Sequence, residues 1–171
     1  MRVAIITVSD RCSEGTAIDK SGPKLVELIN ASEKVKHATV TGTTVIPDER
    51  EKISHAIREL CGSNASDVVI TTGGTGWAVR DVTPEATNDV IERRCGGLET
   101  ALHLRSLQAT PFAALSRLTA GIRGQTLIVN FPGSTKAVQE CWEVLEPLLN
   151  HGIGLLCGAD QTTVHEKIQG Q

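Results

Sequence analysis

The stretch Val68–Ala86, VVITTGGTGWAVRDVTPEA, changes character twice, and its reading decides the fold. Val68-Val69-Ile70-Thr71-Thr72 is β-branched throughout and short, which suits a strand buried on both faces. Gly73-Gly74-Thr75-Gly76 follows at once. Glycines at this density open backbone conformations closed to other residues and let a ligand approach the main chain. Thr83 then reads as a helix N-cap, with Pro84 at the first helical position and Glu85 in the first turn, where its charge suits the helix dipole. Strand, glycine loop and helix start together offer clustered N–H groups to an anion, most often phosphate. The spacing fits neither G-x-G-x-x-G nor the P-loop. By itself it also describes a tight strand-to-helix connection that holds no ligand, so both readings stand.

Working outward, the same alternation recurs. Val3–Val8 is an apolar strand. Ser21 reads as the cap of a helix that starts at Pro23 and buries Leu25, Val26, Leu28 and Ile29. Residues 38–46 form a second strand, stopped by Pro47. Asp48 reads as the cap of the next helix, with Glu51 three residues on as in a capping box and Ile53, Ala56, Ile57 and Leu60 on its inner face. After the central stretch, a helix is expected from Pro84 to Arg94, ended by Gly96-Gly97. A further helical segment carries Leu98, Ala101, Leu102 and Leu104. A short helix is expected at Phe112–Leu115, then strands at 118–122 and 127–130. Ser134 caps a last helix whose stripe is Ala137, Val138, Cys141, Trp142, Leu145 and Leu148 and which His151-Gly152 ends. Residues 1–158 read as one domain and 159–171 as a polar tail.

Strands alternating with helices of this length predict a three-layer α/β/α domain with a mainly parallel central sheet. Right-handed crossovers place the strand C-terminal ends on one rim. Ser9-Asp10, Pro47-Asp48, the glycine loop and Pro132-Gly133-Ser134 therefore meet there, where ligands of open α/β sheets bind.

Composition narrows the function. The net charge of −3 and the aromatic content of 2% argue against a nucleic-acid surface or a base-stacking platform. No run approaches the roughly 18 apolar residues of a membrane span, and polar Ser9-Asp10-Arg11 comes too early for a signal peptide. The five cysteines are widely spaced and form no C-x-x-C pair. They read as reduced thiols in the cytoplasm rather than a disulfide frame or zinc site.

The string GGTG, four residues, then DVTPEAT resembles the signature of the molybdopterin adenylyltransferases. That family includes bacterial molybdenum-cofactor enzymes and the G domain of fusion proteins such as gephyrin. The resemblance extends to ITVSDR near the start, to VIPDE at Val45–Glu49, to LSR at Leu115–Arg117 and to GIRGQTLIVNFPGS at Gly121–Ser134. It implies transfer of AMP from ATP to molybdopterin with release of pyrophosphate, dependent on Mg²⁺. Asp48 and Asp81 match the family's active-site aspartates, so the resemblance assigns them catalysis and the metal, against their local readings as a cap and a partner of Arg80. It places Gly73, Gly74, Thr75, Gly76 and Glu85 with Asn130, Pro132, Gly133 and Ser134 at the substrate or nucleotide. Ser9 and Asp10 lie beside the pocket. Arg117 is open between a surface arginine and a ligand for the pterin's phosphate. Trp77 is open between a cover on the pocket and a flap on adenine. Val79 and Phe131 depart from the proline and leucine usual in relatives, and neither removes a polar group. The resemblance further implies a homotrimer, for which the leucines of residues 98–118 supply surplus apolar surface, and a separate molybdenum insertase as partner. The alternative is a non-catalytic scaffold or pterin-binding module on the same fold; another keeps the fold and takes a different nucleotide.

Overall fold

The computed structural model describes residues 1–35, 37–62 and 65–158; the tail from Ala159 lies outside them. Six strands form one sheet in the order β2-β1-β3-β6-β5-β4. β1 (Arg2–Val8), β2 (Thr39–Ile46), β3 (Val68–Thr72) and β6 (Thr126–Phe131) run parallel. β5 (Ala120–Arg123) joins β6 by a hairpin and β4 (Arg93–Arg94) joins β5, both antiparallel. The three-layer expectation holds, with an antiparallel edge on a parallel sheet.

The pleat sorts side chains by parity, as a period of two requires. Val3, Ile5, Val68, Ile70, Val129 and Phe131 face one layer, made of α2 (Ser21–Asn30), α5 (Gly96–Ala109) and α6 (Thr135–Leu156). Ile6, Val8, Val69 and Ile128 face the other, made of α3 (Arg50–Gly62) and α4 (Thr83–Asn88). A short α1 (Asp10–Ser13) follows β1, and a 3₁₀ turn, Pro111–Leu115, follows α5.

Several local readings are corrected by contacts distant in sequence. Ser21 does not cap α2: the carboxylate of Asp19 accepts from the Ser21 and Gly22 N–H groups instead. α4 stops at Asn88, because Arg93 and Arg94 pair with β5 as an edge strand rather than continuing the helix. Gly96-Gly97 starts α5 rather than ending a helix, since Ala120 lies within reach of the Cys95 N–H and fixes the entry. The strand predicted at 118–122 begins at Ala120, not Leu118, and Leu118 packs into the core. α6 runs on through His151-Gly152 and through Pro147 to Leu156, because Leu149 and Ile153 continue its buried stripe while Leu148 faces solvent. Packing here outweighs the helix-breaking tendency of Pro and Gly.

From β1 the chain crosses to β2 on one side and from β2 back to β3 on the other. The order of the sheet therefore reverses between β1 and β3, and a crevice opens at their C-terminal ends.

Candidate active site

A cleft of about 620 Å³ occupies that crevice. β1 delivers Ser9 and Asp10, β2 delivers Asp48, β3 delivers Gly73 and Gly74, and β6 delivers Gly133 and Ser134; Asp81 closes the loop side. All these segments were expected at the rim, and the structure brings them together.

Asp48 is not a helix cap. Its Oδ2 accepts from the Asp10 N–H at 2.8 Å, and its own N–H donates to Asp10 Oδ1 at 2.9 Å, so β1 and β2 are tied by reciprocal aspartate bonds. The first bond of α3 runs from the Ile53 N–H to the Glu49 carbonyl, so Glu49 and not Asp48 precedes its first turn. Arg80 does not pair with Asp81 but grips Asp10, through Nε at 2.9 Å and Nη2 at 2.8 Å. That ion pair, with the Asp48 N–H, holds the Asp10 carboxyl below the usual range. Asp48 moves the other way. Burial pushes its carboxyl up against the bond from Asp10, and the negative neighbours Asp10 and Asp81 add to the rise. Asp81 Oδ2 accepts from the Ala78 N–H at 2.9 Å.

Two glycines of the loop are required by geometry. Gly73 has φ of 100°, and a Cβ there would lie 2.3 Å from the Val8 carbonyl oxygen. Gly74 has φ of 61°, and a Cβ would lie 2.4 Å from Thr83 Oγ1 and 2.7 Å from Asp48 Oδ1. The loop is thus pressed onto β1 and onto Asp48. Thr83 is not an N-cap; it is buried as the first residue of α4, and its hydroxyl donates to the Gly73 carbonyl. The helix starts at the cleft are those of α1, α2 and α6 rather than α4. Ser134 caps α6 as expected, accepting from the Ala137 N–H, and leaves first-turn N–H groups facing the cleft beside Gly133.

Six expected residues do not line this cleft. Asn130 is fully buried and donates to the Thr71 and Thr87 hydroxyls. Thr75 is buried, and its carbonyl accepts from the Arg117 N–H. Pro132 offers its carbonyl to Thr72 Oγ1. Glu85 and Arg117 pair with each other behind the loop. Gly76 sits against Asp81, where a Cβ would lie 2.8 Å from Oδ2. Trp77, 70% exposed, borders a separate depression with Val79 and Arg117 rather than covering the cleft. Sequence reading missed Thr7, Asp19 and Lys20, which line the far wall. Asp19 followed by Ser21-Gly22 is an Asx-type signal that could have marked this corner; Thr7 locks it by donating to Asp19 Oδ2 at 2.7 Å.

Among the described residues no three His, Cys, Asp or Glu side chains converge as a metal cage. The donors fit a different kind of cation site. Asp48 and Asp81 each give one oxygen to a backbone N–H and retain another without a hydrogen bond, in a pocket where burial already opposes Asp48's charge. A hard divalent ion shared between carboxylates, substrate phosphates and water suits such a set.

Fold and cleft define a class: an open α/β protein with carboxylates, a glycine loop and a helix start gathered at its topological switch point. Comparison with known proteins narrows this. The family described as a probable molybdopterin binding domain matches residues 4–151, and the chain belongs to that family. It is 42% identical over 169 residues to the molybdenum cofactor synthesis protein cinnamon of Drosophila melanogaster, covering 97% of this chain but only 28% of that protein's length. It is 36% identical over 167 residues to a molybdopterin adenylyltransferase of Helicobacter pylori, covering 98% of this chain and 93% of the relative. The solved structure of the molybdopterin biosynthesis enzyme MoaB of Thermus thermophilus superposes with a TM-score of 0.82 at 39% identity, over 92% of this chain and 96% of that one.

Proposed function

We propose that this chain is a molybdopterin adenylyltransferase that moves the AMP group of ATP onto the terminal phosphate of molybdopterin and releases pyrophosphate. The observation that carries the reading is the meeting of Asp48 and Asp81 with the glycine loop and the α6 start in one cleft. The names of close relatives support it, including the bacterial adenylyltransferase that the chain spans almost fully.

In this reading a phosphate oxygen of molybdopterin attacks the α-phosphorus of ATP. A new phosphoanhydride bond forms as the bond from the α-phosphorus to the α,β-bridging oxygen breaks, and pyrophosphate leaves with the electron pair. The nucleophile is already ionised near neutral pH, so no general base is needed, and the work is positioning and charge neutralisation. The N–H groups of Gly74, Gly133 and the first turn of α6 hold phosphate oxygens, and Gly73, whose own N–H goes to the Phe131 carbonyl, leaves room for their approach. Asp48 and Asp81 hold Mg²⁺, which when bound supplies positive charge at the α-phosphate. Arg80, tethered to Asp10, keeps a second positive charge at the mouth. The test is pyrophosphate release from ATP on adding molybdopterin, abolished by a chelator and restored by Mg²⁺. Tight molybdopterin binding without any release would instead favour the scaffold reading.

The same reading places the enzyme in the cytoplasm, with a molybdenum insertase as its partner, and makes it a homotrimer. Five unbridged cysteines agree with a reducing compartment. No described helix is long and apolar enough to cross a membrane. For the trimer, the structure revises which leucines count: Leu102 and Leu118 are in the core, whereas Leu104, Leu107, Phe112 and Leu115 are exposed on α5 and the 3₁₀ turn. Phe112, 76% exposed, stands out furthest. A contiguous apolar face of this kind commonly marks an interface. Light scattering should give three chains per particle for the wild type and one for Phe112→Asp with Leu104→Asp; a wild-type mass near 18.2 kDa would refute the trimer.

A further inference from the structure

We propose that Arg117 is a positioning residue that sets Asp81, rather than a ligand for substrate phosphate; this rests on the role given above to Asp81. Arg117 follows the 3₁₀ turn and reaches the glycine loop from behind. Its N–H donates to the Thr75 carbonyl at 2.8 Å. Nε donates to the Gly76 carbonyl at 2.8 Å, and Nη2 to the Asp81 carbonyl at 2.5 Å. Nη1 pairs with Glu85. Every guanidinium nitrogen is therefore engaged, and Arg117 does not line the cleft. The guanidinium is thus turned to the loop's carbonyls and to Glu85, away from the cleft where substrate phosphates would lie.

What these bonds accomplish follows from where they fall. Gly76 and Asp81 are the two ends of the loop that carries Trp77, Ala78, Val79 and Arg80. One planar guanidinium bridges their carbonyls, so the distance between the ends is fixed by a rigid fork. Within the loop, the Asp81 N–H donates to the Ala78 carbonyl at 2.9 Å. Asp81 Oδ2 takes the Ala78 N–H. Asp81 is thus held on its amide, its carbonyl and one carboxylate oxygen, which aims the other oxygen. Glu85 balances the charge of the arginine: one of its oxygens meets Arg117, and the second is buried with no hydrogen-bond partner. Apart from this tether the loop is anchored by the ion pair of Arg80 with Asp10, while Trp77 and Val79 stand in solvent, the latter 96% exposed. Lysine could keep the charge but could not span two carbonyls, because an ammonium is a point donor and not a fork.

The decisive variant is Arg117→Lys. Amide hydrogen exchange on the substrate-free protein should speed up by about tenfold or more across residues 76–82 and stay unchanged in β1 and β6. The kcat for pyrophosphate release should fall by about 10- to 100-fold, the size expected when a reacting group is misplaced by an ångström. KM for ATP and for molybdopterin should stay within about twofold of wild type. In the Asp81→Asn background, Arg117→Lys should cost nothing further, because an effect exerted through Asp81 disappears with Asp81. If Arg117→Lys lowers folding yield, Glu85→Gln should show the same pattern in weaker form. A raised KM for molybdopterin at unchanged kcat would overturn the proposal in favour of direct phosphate binding. Unchanged exchange in the loop, or a full additional loss in the Asp81→Asn background, would overturn it equally. Exchange needs no substrate, so it judges the tether even if the adenylyl-transfer reading itself fails.

Discussion

Asp48→Asn should lower turnover by about 100-fold or more while leaving the protein as stable as the wild type, or more so, at neutral pH. The loss in rate is what removal of one charge-stabilising group typically costs. The stability effect follows from the surroundings of Asp48. Its folded-state carboxyl is raised above the ordinary 3.8, chiefly by burial, with the Asp10 and Asp81 charges adding to the rise. A carboxyl raised on folding favours the folded state while it is protonated, below about pH 3.8, and this contribution disappears as pH climbs through the raised value. At neutral pH the ionised Asp48 therefore works against the fold. Asparagine is neutral and can still accept from the Asp10 N–H, so the variant removes the burden and keeps the bond. No loss of a helix cap enters either, since the partner of Asp48 is Asp10 and asparagine caps a helix as well as aspartate does. Asp81→Asn should lose activity to a similar degree. Thermal melts at pH 7 beside pyrophosphate release decide the matter. Activity within a few-fold of wild type in both variants would sink the catalytic assignment, and a clear drop in melting temperature for Asp48→Asn would sink the electrostatic account.

What the sequence disclosed and what it hid divide by range. β3 was legible because five β-branched residues in a row have little else to become. The rim was legible because parallel strands share an end, so Asp10, Asp48, Gly74 and Ser134 could be placed together without any side-chain detail. Roles that depend on one long-range bond were not. Asp48 shows every local sign of a cap, and only its bond to Asp10, 38 residues away, shows otherwise. Arg80 is adjacent to Asp81 in sequence, yet it pairs with Asp10, 70 residues away. Gly96-Gly97 looks like a stop because glycine marks turns in general, and nothing local says that α5 enters there. Arg117 showed a charge near the site but not its direction; the carbonyls of Gly76 and Asp81 turn it away from the cleft.

Gly74→Val and Gly76→Ala should fail in different ways. From sequence, a side chain at either glycine would be expected to block the ligand and spare the fold. The structure separates them. Gly74 holds φ of 61°, and a Cβ there would collide with Thr83 Oγ1 at 2.4 Å and Asp48 Oδ1 at 2.7 Å. Left-handed backbone costs a residue bearing Cβ about 1–2 kcal/mol. Overpacking adds about 1–3 kcal/mol. Together these are a large share of the ~5–15 kcal/mol that holds a domain of this kind folded. At roughly 2–4 °C per kcal/mol, Gly74→Val should melt about 5–15 °C below wild type. It should also lose turnover, since both the Thr83 bond to Gly73 and the Asp48 carboxylate must shift. Gly76 has no positive φ, and the only side chain a Cβ would press is the end of Asp81, at 2.8 Å. A carboxylate can swing aside at little cost to the fold, so Gly76→Ala should melt near wild type yet lose most of its activity through the displaced Asp81. Paired melts and rate assays on the two variants check this directly. Equal loss of stability in both would show that Gly76 is packed as tightly as Gly74, and full activity in Gly76→Ala would show that the position of Asp81 does not limit the reaction.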